Sequence, residues 1–296
     1  MRNALIIEKA KFANLTSNLK LSDKTFNDSG YKTAILRAAL DLTVRTLKPQ
    51  RDDAIEELKK ELIDTQNSGS FFNQVKRYFE SDPKSEQAFD AWHTDRCHEV
   101  LAIIQKYYLN GDGTSVCYGK AQKIVNITFK GCYSLVGADE KEEYFKHCHM
   151  ALDSFTLAWY NRNHRENKVE TPWSNLQEDQ YTAVVSNIRV FGETDNDLFG
   201  ALTPLQKEFL IWPLEIMIIT VKGINNCFGG IIDGDYVNDY FENYGLSNDL
   251  RMANIILGKE NPDILDEAFA NWLKRIPKNY KKHESAEFLL DKYQIN

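Results

Sequence analysis

The sequence predicts an all-α fold, on three observations. Apolar residues recur at three- and four-residue spacing through 31–47, 52–64, 70–79, 86–109 and 120–136, which is the period of an amphipathic or buried helix. Strand signals are sparse: β-branched runs occur only at 231–232 and 184–190, and the second lies inside a helical pattern spanning 176–191. Helix punctuation supplies the third observation.

Taken in order, Pro49 ends the first helix and Pro83 separates the third from the fourth, because proline removes a backbone donor and clashes with the preceding turn. The run Thr171-Pro172-Trp173-Ser174 precedes another helix, with Ser174 expected as its N-cap and Gln177 three residues on. Glycines 223, 229, 230 and 234 break the pattern and an acidic stretch follows, so a boundary is expected near 222. That divides a 1–222 core from a 223–296 extension, with helices expected at 253–257, 264–275 and 285–293. The extension is either an accessory lobe or part of the same core.

Composition bounds the remaining choices. A chain of 296 residues, 43% hydrophobic and 12% aromatic, can bury a sizeable core. The longest apolar run, 209–221, is too short to span a bilayer and contains Pro213 and Glu215, so no membrane association is expected. With no signal-peptide pattern at the N-terminus, a cytoplasmic location is expected. Five irregularly spaced cysteines without a Cys-x-x-Cys pair read as reduced thiols. The net charge of −7 disfavours a general nucleic-acid binder, although residues 118–168 carry eight Lys or Arg against six Asp or Glu.

One segment interrupts the helical pattern. Leu109-Asn110-Gly111-Asp112-Gly113-Thr114-Ser115 is a strong turn cluster that leads through Cys117-Tyr118-Gly119 into the next helix, so a helix-hairpin-helix arrangement is expected over 109–123. Lys123 then falls near a helix start, where the positive end of the helix and desolvation should lower its pKa and make the amine nucleophilic. The same helix start, with Gly111, Gly113, Gly119 and Lys120, suits a phosphate. Thirty residues on, Asp153 precedes another helix and can steady a developing cation.

These residues resemble the helix-hairpin-helix DNA glycosylases. In that family a glycine-bearing hairpin precedes a lysine at a helix start, and an aspartate follows in a short segment; here Met150-Ala151-Leu152-Asp153-Ser154-Phe155 is similar to that segment. The likeness covers roughly residues 86–165 and is nearest to the archaeal-type 8-oxoguanine glycosylases and their bacterial antiphage relatives. The hairpin departs from the family by lacking Gly-Val-Gly, and Lys120 and Lys130 compete with Lys123 for the nucleophile's role.

The resemblance implies a glycosylase-like helical bundle that flips a modified base out of DNA and cuts its glycosidic bond, with Lys123 and Asp153 catalytic. The base would be 8-oxoguanine or a bulky glucosylated hydroxymethylcytosine of phage DNA. Lys120 and Lys130 would contact the DNA, joined by Arg162, Arg165 and Lys168 and by a second basic cluster of Lys274, Arg275, Lys278, Lys281 and Lys282. Of Trp92, Tyr107, Tyr108, Trp159, Trp173 and Trp212, mostly core by expectation, one or two would line the base pocket, with Trp159 first among them. The chemistry requires no metal or organic cofactor, and a monomer is expected.

Structural readings stand beside these. Lys123 fits a solvated helix face, Asp153 fits an N-cap, and the tryptophans fit a core. The cluster His147-Cys148-His149, with His93, Cys97 and His98, lacks the geometry of a zinc site, and the deaminase signature is absent. The alternative function is a non-catalytic helical binding or regulatory protein.

Overall fold

The computed structural model describes residues 9, 12, 25–190, 202–212 and 215. The chain divides into two compact units, 2–212 and a second of Met1 with 213–296; the expected boundary near 222 lies outside the described residues. The C-terminal helices expected at 253–257, 264–275 and 285–293, the run 231–232 and the basic cluster 274–282 lie outside the described residues.

The described part is mostly helical. Helix α1 (Asp28–Thr46) starts at Asn27, whose side chain accepts from Ser29 N and Gly30 N. Helix α2 (Ala54–Leu62) buries Ala54, Leu58 and Leu62, one residue per turn. Helix α3 (Phe71–Glu80) is capped by Ser70, which accepts from Asn73 N, and buries Phe71, Phe72, Val75, Tyr78 and Phe79. Helix α4 (Glu86–Tyr107) is capped in the same way by Ser85. Aromatic rings knit α3, α4 and the next helix together: Tyr78 lies 5.0 Å from Trp92 and 5.0 Å from Phe129.

A small β ladder was not expected. Strands β1 (Leu47–Pro49) and β2 (Tyr108–Asn110) pair antiparallel, with Leu47 opposite Asn110 and Pro49 opposite Tyr108. Each follows directly on a helix: β1 starts at Leu47, where the first helix was expected to end, and β2 takes Tyr108 and Leu109 from the end of the expected helix 86–109. Pro49 cannot continue a helix and Tyr108 adopts extended angles, so both chain ends leave their helices here and satisfy backbone groups against each other.

Helix α5 (Tyr118–Tyr133) is the axis of the fold, packed against α1 and α4. All of its residues are buried except Lys123. Its first turn is sealed by the segment around 173–176: Gly119 N donates to Leu176 O at 2.9 Å, and a Cβ on Gly119 would overlap the Trp173 carbonyl oxygen. Glycine is needed there to let two backbones touch.

After α5 a 3-10 stretch (Ala138–Phe145) occupies the 137–146 insertion. Helix α6 (Ser154–Asn163) follows, then helix α7 (Glu178–Val190), which absorbs the β-branched run 184–190 as expected. Ser174 does not cap α7; it sits inside a 3-10 turn (Trp173–Asn175), and Gln180 Oε1 accepts from Gln177 N at 3.1 Å at the helix start instead. Residues 204–212 form a further helical segment. No helix among the described residues is long and apolar enough to cross a membrane.

The contact at Gly119 is testable. Gly119→Ala should lower the denaturation midpoint by the equivalent of about 1–3 kcal/mol, because backbone must shift to admit the methyl. Gly111→Ala should be close to neutral, since nothing lies within 4 Å of a Cβ there; equal effects in urea titrations would contradict the packing described.

Candidate active site around Lys123 and Asp153

The segment 150–153 is held by side chains of α5. Gln122 Nε2 donates to Leu152 O at 2.7 Å while Gln122 Oε1 accepts from Leu152 N at 3.1 Å, so one amide side chain reads both backbone groups of one residue. One turn on, Asn126 Nδ2 donates to Met150 O at 3.1 Å and to Gln122 Oε1 at 2.9 Å. Glu208 Oε2 accepts from Ala151 N at 2.8 Å. Each of residues 150–152 is thus tied down, and Gln122 and Leu152 are the chain neighbours of Lys123 and Asp153.

Asp153 caps α6 through a complete capping box. Its Oδ1 accepts from Phe155 N at 2.9 Å and Thr156 N at 3.1 Å, and Asp153 N donates back to Thr156 Oγ1 at 2.8 Å. Its Oδ2 accepts from the indole N–H of Trp212 at 3.0 Å. Asp153 is buried.

Lys123 points toward the one partly open edge of α5. Its Nζ lies 3.0 Å from Asp41 Oδ2 on α1 and 4.9 Å from the centroid of the half-buried Trp173. Its side chain is 12% exposed, and that of Asp41 is 47% exposed. Burial works against the ammonium, yet the charges of Asp41 and Asp153, with the Asp41 hydrogen bond and the charge of Glu208, hold the pKa above the ordinary 10.5. The lowered pKa expected for Lys123 is therefore corrected: facing carboxylates outweigh desolvation. The charge of Asp153 acts on this lysine after that of Asp41, and the two residues flank the contact of Gln122 with Leu152.

The rival lysines behave differently. Lys120, one turn earlier, is buried 5.5 Å from the same Trp173 ring, and its pKa falls to about 8 through burial and then the charge of Lys123. Lys130 is buried against Glu208, with 2.9 Å between Nζ and Oε1, and lies within 4.8 Å of both the Phe12 and Phe209 ring centroids. Burial raises the Glu208 pKa against the opposing pull of Lys130 and Ala151 N. Lys130 was expected at a DNA groove; its ion pair points into the core, away from any surface a phosphate reaches.

The expected hairpin glycines separate into two environments. Gly111 and Gly113 lie in an exposed turn, where Gly113 has φ +85° and Asp112 accepts from Thr114 N and Oγ1. Gly119 is buried with its N–H committed to Leu176 O, so it is not placed to cradle a phosphate. Arg165 and Lys168 are exposed beyond α6, while Arg162 is half-buried.

Trp159, the expected base-pocket aromatic, is in the core with no exposed surface. The aromatics that border the pair are Trp173, Trp212 and Phe155, all half-buried, with Phe155 and Trp212 edge to face at 4.7 Å. Trp173 and Trp212 were among the pocket candidates ranked behind Trp159. Asp41 and Glu208 were missed because they lie far from Lys123 and Asp153 in the sequence.

Behind the clamp lies a buried polar seam. His93 Nε2 meets Asn126 Oδ1 at 3.0 Å, Tyr181 OH meets His149 Nδ1 at 2.9 Å, and His149 Nε2 meets Asp90 Oδ1 at 2.9 Å. Burial holds both histidines below the ordinary range and therefore neutral, while Arg189 grips both Asp90 oxygens at 2.7 and 2.6 Å. Among the described residues no group of three or more His, Cys, Asp or Glu is arranged to hold a metal ion. Histidines 93 and 149 spend their nitrogens on amide, phenol and carboxylate partners.

These features define a mostly helical protein with a lysine and a carboxylate held beside one buried axis helix. No family model, curated protein or solved structure matches the chain.

The two lysines should titrate apart. Isotope-edited NMR of the lysine side chains should place the Lys120 midpoint near 8 and that of Lys123 above 10.5, and Asp41→Asn should move Lys123 downward because it removes the charge that favours the ammonium. Coincident titration of the two would contradict this electrostatic picture.

Proposed function

We propose that the protein is a DNA N-glycosylase of the helix-hairpin-helix type that excises a modified base. The observation carrying this reading is the clamp of Gln122 on Leu152, which keeps the helix-capping Asp153 within electrostatic reach of Lys123. In the resembling family the catalytic aspartate also occupies a helix start. Half-buried Trp173, 4.9 Å from the Lys123 amine, supplies a face on which an extruded base would stack.

In the proposed reaction the bond between the base nitrogen and C1′ breaks and its electron pair leaves with the base, which takes up a proton from solvent. The carboxylate of Asp153 steadies the cation that develops on the sugar. Because Asp41 holds Lys123 as an ammonium, water is the favoured attacker at C1′, and its proton passes to Asp153. An amine route requires a deprotonated lysine, for which Lys120 is better suited in charge than Lys123.

The substrate is a modified base in DNA, with 8-oxoguanine and glucosylated hydroxymethylcytosine as the two classes to compare. Single-turnover assays on duplexes carrying each should show base release from one of them. Asp153→Asn should slow release by about 100-fold or more. Borohydride should trap little adduct with Lys123 if water attacks, whereas a trapped adduct at Lys120 would assign the amine route. Absence of both release and adduct on both DNAs would overturn the reading and leave a helical binding protein.

A further inference from the structure

We infer that Trp212 is a positioning residue for Asp153: its indole N–H fixes Oδ2 so that one acceptor direction of the carboxylate is presented to the reacting sugar or water. The inference rests on the glycosylase reading above and adds to it a residue on the segment 204–212, which no motif pointed to.

The argument is one of acceptor capacity. Each carboxylate oxygen offers two lone-pair directions. Those of Oδ1 are taken by the amides of Phe155 and Thr156 at 2.9 and 3.1 Å, which hold that oxygen over the start of α6. At Oδ2 the donor among the described residues is Trp212 Nε1 at 3.0 Å. One direction of Oδ2 is thereby filled, and the remaining one has a defined orientation instead of rotating with the carboxylate.

The indole is itself held. Its ring meets Phe155 edge to face at 4.7 Å, and Phe155 belongs to the first turn of the helix that Asp153 caps. Four residues before it, Glu208 bonds Ala151 N at 2.8 Å and is paired with the buried Lys130. The segment 204–212 thus reaches the loop at two points, Ala151 and Asp153, so that ring and carboxylate keep one geometry. Trp212 is half-buried, and loss of its N–H leaves the carboxylate held at Oδ1 alone, so that Oδ2 swings about that oxygen while Asp153 stays in its cap.

The test compares single-turnover base release and DNA affinity for wild type, Trp212→Phe, Trp212→His and Phe155→Leu on duplexes containing 8-oxoguanine or glucosylated hydroxymethylcytosine. Trp212→Phe should slow release about tenfold while the dissociation constant changes less than about twofold, because it removes an orienting donor and keeps an aromatic face. Trp212→His, which retains a ring N–H, should recover part of the rate, and Phe155→Leu, which alters packing alone, should cost less than Trp212→Phe. Wild-type release by Trp212→Phe, an effect confined to affinity, or an equal loss in Phe155→Leu would each overturn the positioning role while leaving the glycosylase reading intact. Wild-type protein that releases neither base would overturn both.

Discussion

The two-point hydrogen bond between the Gln122 amide and the backbone of Leu152 is the constraint on which the site depends. It joins the residue beside Lys123 to the residue beside Asp153, and both Gln122 and Leu152 are fully buried. A buried amide that loses its partner costs about 1–3 kcal/mol, so the register between α5 and the 150–153 segment is fixed by more than packing. Asn126 and Glu208 repeat the device on Met150 and Ala151. The capping box on Asp153 then launches α6 from a loop whose position is already set.

Three lysines on one otherwise buried helix require three solutions to desolvation. Lys130 has a buried carboxylate and aromatic rings about it, Lys123 has a half-exposed carboxylate, and Lys120 has a lowered pKa. The differences follow from what faces each lysine across the packing, since the helix itself is common to all three. They place opposite electrostatic demands on neighbouring amines: the pKa of Lys123 is held above its ordinary value while that of Lys120 is lowered to about 8.

Helix positions were largely legible because their information is local. Ser70 and Ser85 cap as their side chains dictate, and Asp153 is both the predicted helix-starting residue and the observed one. The strand pair at 47–49 and 108–110 was illegible, because it depends on two distant chain ends meeting. Lys123 and Asp153 could be singled out from residue type and local context, whereas most of what surrounds them could not. Asp41, Trp173, Glu208 and Trp212 reach Lys123 or Asp153 from distant parts of the chain, and it is they that reverse the expected pKa of Lys123 and complete the bonds of Asp153. Trp159 and Lys130 show the converse: the resemblance implied contact with DNA for both, and the third dimension put both inside.

Amide hydrogen exchange at Leu152 tests the central claim most directly. If Gln122 holds that N–H, Leu152 should exchange as slowly as the buried amides of α5 despite lying outside any helix or strand, and Gln122→Ala should accelerate it beyond the change in global stability. Rapid, unprotected exchange at Leu152 in the wild-type protein would mean that the segment carrying Asp153 is not fixed to α5, and the geometry ascribed to the site would fail with it.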